Sequence, residues 1–203
     1  MSTPSDPSVA SDASIISVNV ALHSALKDYL SPGIDLTFAL PDRDSEFSVP
    51  TVSVFLYEIH EDLQMRSGDA RKYDSTTHVY APGTVNVNCN YLITYWETVT
   101  STDSHGPVAL PDSQAMMAMN QVVNALVNNR QLKGLPRAYT RMIPPTEELN
   151  SLGNFWQSMG NKPRLSINCS ITVPLTLTAP AATDTTPAVE TTEADFEQIP
   201  ATS

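Results

Sequence analysis

The chain has 203 residues, 41% of them apolar, and its 22 acidic against 11 basic side chains leave a formal charge of -11. That length supports one sizeable core, and the negative field repels phosphate backbones, which argues against nucleic acid as a partner. The opening MSTPSDPSVASDAS lacks the basic and apolar parts of a secretory signal, and no later stretch reaches the roughly 18 apolar residues of a spanning helix. These features predict a soluble protein made in the cytoplasm, without a membrane partner.

Residues 1–13 are rich in Ser, Pro, Asp and Ala and read as a flexible N-terminal segment. Ile15, Val18, Leu22, Leu26 and Tyr29 then recur at three and four, which places them on one face of a helix over 14–30, stopped by Ser31-Pro32-Gly33. In IDLTFAL, Ile34, Leu36, Phe38 and Leu40 alternate with other residues, and TVSVFLYEI is dense in β-branched and aromatic side chains. Two strands are predicted there, split by the polar loop PDRDSEFSVP. After a loop over 61–82, VNVNCNYLITYW sets Val85, Val87, Cys89, Tyr91, Ile93 and Tyr95 against Asn86, Asn88 and Asn90. This predicts a long strand with one buried face and one face that is wet at its beginning.

Pro111-Asp112 is a plausible helix start, followed by Met116, Met119 or Asn120, Val123, and Leu126 or Val127 along one side, ending near Arg130. Met116, Met117 and Met119 read as gap-filling core rather than a binding groove. A short edge strand is expected over 137–142. Thr146 would cap a third helix with Leu149, Leu152, Trp156 and Met159 inward, closed by Gly160. RLSINCSITVPLTL alternates without a break through Leu165, Ile167, Cys169, Ile171, Val173, Leu175 and Leu177 and is the clearest strand. Residues 178–203 form a Pro/Thr/Ala-rich arm with Asp184, Glu190, Glu193, Asp195 and Glu197 and no base. Such a composition buries too little apolar area to offset its ordering entropy, so alone it should be disordered, with Phe196 and Ile199 as its anchors on a neighbour. The folded body is thus residues 14–177. The order of elements predicts an α+β domain, a mixed, mostly antiparallel sheet packed with about three helices.

Chemistry-bearing residues are few. Glu58, His60, Glu61 and Asp62 cluster at the end of a strand, and Glu58 and His60 would share a face. A metal or acid-base site there would need a third and fourth converging group, while His23, His78 and His105 sit in unrelated contexts. GxSxG, GxGxxG and GxxxxGK patterns do not occur. Cys89 and Cys169 have no CxxC spacing, and Cys169 shares a face with apolar neighbours, so both read as small core residues rather than nucleophiles or a disulfide. Trp96 suits either the core or an interface. The expectation is a protein that is not an enzyme and takes no cofactor or metal.

VSVFLYEIHEDLQMR, then CNYLITYW, then LNSLGNFWQSM leading into KPRLSINCSITVPL, resembles the N-terminal domain of the cap proteins of extracellular contractile injection systems, related to the tail terminators of contractile phages. The resemblance runs from about Ile15 to Leu177. It departs in lacking a substantial second domain and in the insertion RSGDARKYDSTTHVYAPGT after Arg66. It implies a homohexameric ring on the distal end of the particle, touching the inner tube protein and the sheath protein, stopping polymerisation and holding the sheath extended. It also implies that Glu58, His60, Glu61, Asp62, Arg66 and Trp96 line a subunit or partner contact. The particle would be assembled in the cytoplasm and later retained or released. Two other classes stay open: a tail-completion or baseplate adaptor of a phage-like particle, and a small hydrolase or metal enzyme.

Overall fold

The computed structural model describes residues 11–40, 47–64, 71, 73–76, 79–98, 111–144, 156 and 164–177. The elements are α1 (Ser14–Lys27), β1 (Asp35–Thr37), β2 (Thr51–Glu61), β3 (Tyr73–Asp74), β4 (Val79–Tyr80), β5 (Thr84–Trp96), α2 (Gln114–Asn128), β6 (Tyr139–Ile143) and β7 (Ser166–Thr176). Five strands form one sheet in the order β1-β2-β5-β7-β6, with β1 parallel to β2 and every other pair antiparallel. The sheet is therefore mixed and mostly antiparallel, and β3 and β4 make a separate small hairpin inside the expected 61–82 loop.

The core lies between the helix pair and one face of the sheet. Val18, Leu22 and Leu26 of α1 and Ala118, Met119, Val122, Ala125 and Leu126 of α2 pack on Val52 and Val54 of β2. The same cluster takes in Val87, Cys89, Tyr91, Ile93 and Tyr95 of β5 and Cys169, Ile171 and Val173 of β7. This is the alternation expected for β5 and β7, because successive strand side chains point to opposite faces. Tyr91 crosses the core and its hydroxyl donates to Asn19 Oδ1 at 2.7 Å, which settles the polar tip of a fully buried ring.

Several expectations are corrected. Helix α1 ends at Lys27 rather than 30, where a turn hands the inward position from Tyr29, 37% exposed, to Leu30, 8% exposed. Gly33, at φ +95°, turns the chain beyond it, a conformation that costs a residue with a Cβ. The alternating stretch 34–40 yields only three residues of strand. Helix α2 is capped by Ser113, whose hydroxyl accepts from the Met116 N–H, not by Pro111-Asp112. Its buried face runs through Ala118, Val122 and Ala125, because small side chains there let the helix lie close to the sheet. Met116 and Met117 are turned out, 45% and 54% exposed, and are not core. Leu165 and Leu177, 43% and 53% exposed, flank the buried row of β7 rather than extend it. Trp156 is helical and buried; the rest of the expected third helix, both terminal segments and Arg66 lie outside the described residues.

Candidate functional site

Strand β2 enters the sheet with Val52 and Val54 facing the helices, and strict alternation would carry Glu58 to the same side. A β-bulge prevents this. The pairing with β5 shifts between Leu56, opposite Tyr91, and Glu58, opposite Asn90, so that Tyr57 is the extra residue. One added residue flips every later side chain to the other face. Glu58 and His60 consequently join Asn88 and Asn90 on the sheet face away from α1 and α2.

There they complete a polar row that crosses the sheet. Arg141 Nη2 of β6 lies 3.5 Å from Thr172 Oγ1 of β7, and the Thr172 hydroxyl donates to Asn88 Oδ1 of β5 at 2.6 Å. The Asn88 amide reaches His60 Nε2 at 3.5 Å, His60 Nδ1 lies 3.6 Å from Glu58 Oε1, and Asn90 Nδ2 donates to Glu58 Oε2 at 2.7 Å. With its proton on Nδ1, the imidazole accepts from Asn88 and donates toward Glu58, so every bond in the row points to a single carboxylate. Asn88 and Asn90, expected to be wet, are 8% and 6% exposed because the row and its surroundings cover them. Neutral amides and hydroxyls make poor general bases. The row orients Glu58 and His60 at the end of β2, whose side chains are 42% and 45% exposed.

The remaining predicted residues separate. Glu61 is exposed at the end of β2. Asp62 is 9% exposed, its N–H donates to Asn86 O at 2.8 Å and its Oδ1 accepts from the Gln64 N–H at 3.0 Å, so it shapes the turn that follows β2. Trp96 is 4% exposed at the opposite end of the sheet; its indole N–H donates to Thr94 Oγ1 at 2.8 Å, Phe47 packs at 5.8 Å between centroids, and the Arg164 guanidinium sits 4.1 Å over the ring. Its surface is used inside the subunit. Arg66, Phe196 and Ile199 lie outside the described residues.

Burial pushes the Cys169 thiol up to about 12 and raises that of Cys89, so both stay protonated at neutral pH and serve as core residues. Among the described residues no three His, Cys, Asp or Glu side chains converge, and no helix is long and apolar enough to cross a membrane. The sequence reading missed the partners of Glu58 and His60. Thr172 and Arg141 lie far from Glu58 along the chain, and only the Asn-x-Asn-x-Asn spacing before Tyr91 marked that face at all. It also missed the exposed apolar side chains: Ile59 and Leu63 at the end of β2 are 51% and 65% exposed, and Tyr73 and Tyr80 of the separate hairpin, tilted against each other at 5.0 Å between centroids, are 47% and 44% exposed.

Comparison with known proteins gives a consistent result. Residues 17–191 match the family described as the Pvc16 N-terminal domain. A cryo-EM structure of the sheath/tube terminator of an extracellular contractile injection system, PVC, in its extended state is 49% identical, with a TM-score of 0.74 over 93% of this chain. The cryo-EM structure of the anti-feeding prophage cap, a tube-terminating cap, is 42% identical, with a TM-score of 0.72 over 94% of this chain. This chain spans 65% and 63% of the length of those two proteins. No curated protein sequence matches it.

Proposed function

We propose that this chain, which belongs to the Pvc16 N-terminal domain family, is the structural cap of a contractile injection system. It forms a ring on the distal end of the tube and sheath, terminates their polymerisation and holds the sheath extended. The observation that carries this reading is the 49% identity to a sheath/tube terminator over 93% of the chain.

The physics of termination is simple. A stacked assembly grows because each ring leaves a surface unsatisfied, and it stops when a subunit satisfies that surface and offers no matching one above. The end of β2 exposes Glu58 and His60 on one face of the strand and Ile59 and Glu61 on the other, followed by Leu63, which supplies charged and apolar groups for such a contact. Its partners are further copies of this chain, closed as a hexamer, and the terminal tube and sheath proteins. The role is non-enzymatic, and the subunit is assembled in the cytoplasm before becoming part of the particle.

Electron microscopy of particles produced with and without the chain tests this. A sixfold layer of the protein at the end opposite the baseplate, and sheaths of uncontrolled length when it is deleted, are the expected results. A layer at the baseplate end would instead identify an adaptor, and normal particles in the deletion strain would overturn the cap reading.

A further inference from the structure

Helix α1 buries Val18, Leu22 and Leu26 but leaves Ile16 and Val20 each 66% exposed on its outer side. Those two side chains border a groove of about 430 Å³ between α1 and the turn joining α2 to β6, with Leu135 on its opposite wall. Adjacent apolar residues at such exposure mark a surface that something covers. The rim is basic. Lys133 lines the groove, Lys27 falls on the same helical face as Val20 and Ser24, and Arg130 is exposed on the facing turn, whereas Asp28 is the one acid in the lining. A local surplus of base is unusual in a chain of net charge -11.

The complementary chemistry lies in the same chain. Residues 178–203 carry Asp184, Glu190, Glu193, Asp195 and Glu197 with no base, and Phe196 and Ile199 are the only aromatic residue and the only isoleucine among them. The point of departure also fits. The Thr176 N–H, at the end of β7, donates to Asp12 Oδ2 at 2.8 Å, and Asp12 immediately precedes α1. The segment therefore leaves the body at the end of α1 where the groove begins. From Ile16 to Asp28 the groove follows α1 for about 18 Å. Twenty residues, the separation of Phe196 from Thr176 in the sequence, would span on the order of 25 Å as a random coil. A linker whose length matches the distance to be bridged gives the highest effective concentration for docking within one molecule.

We infer that this groove is the docking site of the chain's own C-terminal segment, with Phe196 and Ile199 entering beside Val20 and Leu135 and the flanking carboxylates facing Lys133, Lys27 and Arg130. The contact is made in cis by the free subunit, and it stands independently of the cap reading.

Disulfide trapping in the full-length protein at high dilution tests it. Cys89 and Cys169 are free and fully buried, so neither competes. Val20→Cys with Phe196→Cys should cross-link within one chain about tenfold faster than Leu63→Cys with Phe196→Cys, as expected for a raised local concentration. Leu63 is a fair control because it is 65% exposed and lies at the same end of the sheet as Thr176, where Asp62 bonds Asn86 and Thr84 pairs with Thr176. Added salt, or Lys133→Glu, should slow the first pair and leave the second unchanged. Ile16→Cys with Ile199→Cys tests the same geometry without altering Val20. Equal rates for groove and control pairs would overturn docking, and cross-linked dimers would overturn the cis arrangement in favour of a second copy.

Discussion

Asp12 shows how one half-buried side chain ties two distant segments together. Its Oδ1 accepts from the Ser14 N–H at 2.7 Å at the start of α1, and its Oδ2 accepts from the Thr176 N–H at 2.8 Å at the end of β7. The hydrogen bonds from Ser14, led by its side chain, and from Thr176 hold its carboxyl below the usual value of 3.8. A carboxyl depressed in the folded state contributes stability that is present above 3.8 and lost as pH falls through the lower folded value. Asp12→Asn should therefore lower the melting temperature at pH 7, and the difference from the parent should close as pH falls below 3.8, as thermal melts across pH would reveal. Trp96 makes the opposite kind of contribution. It is 4% exposed between Phe47 and Arg164, so Trp96→Ala leaves a cavity and a cation without its aromatic face. A loss of about 3–5 kcal/mol is expected in a urea titration of the isolated subunit. A subunit of parental stability would return Trp96 to the interface.

At the scale of elements, the decisive feature is the bulge in β2. Tyr57 has no paired partner in the ladder with β5, and its phenol is raised above its ordinary value by burial and then by Glu58. The extra residue lets one strand serve two masters, the apolar core with Val52 and Val54 and the polar row with Glu58 and His60. Deleting Tyr57 removes only the unpaired residue, so Leu56 stays opposite Tyr91 and Glu58 opposite Asn90, and Glu58 and His60 keep the face of Asn88 and Asn90. That variant should retain a cooperative melt by circular dichroism, at a temperature lowered by the lost packing of the half-buried Tyr57 ring, and a non-cooperative melt would show that the bulge itself is needed for the fold. Glu58→Gln keeps the length and the hydrogen bond from Asn90 and should melt within a few degrees of the parent. Helix α2 is set by a similar economy of shape: Ala118 and Ala125 bring it onto the sheet, which is why its methionines at 116 and 117 remain outside.

For the molecule as a whole, the helices cover one face of the sheet, and the end of β2 is exposed. Glu61→Lys changes an exposed charge at that end without touching the core. The expected outcome is a subunit with unchanged melting temperature that incorporates poorly into particles, with a defect that depends on ionic strength, measured by counting capped ends in images. Normal incorporation would move the contact elsewhere on the surface. The amino-acid sequence by itself determined the alternating rows of β5 and β7, the inward face of α1 and the mixed, mostly antiparallel sheet. These follow from the period of apolar residues, which is local and survives without knowledge of partners. It also marked Glu58 and His60 as a pair. Tertiary structure alone decided that Asn88 and Asn90 are covered, that Asp62 closes a turn, that Trp96 is buried and that α2 presents Ala118 and Val122 rather than Met116 and Val123. Each of these depends on what lies across a strand pair or beneath a helix. Such a neighbour is remote in the chain, as Thr172 is from Asn88 and Arg164 from Trp96, and periodicity carries no information about it.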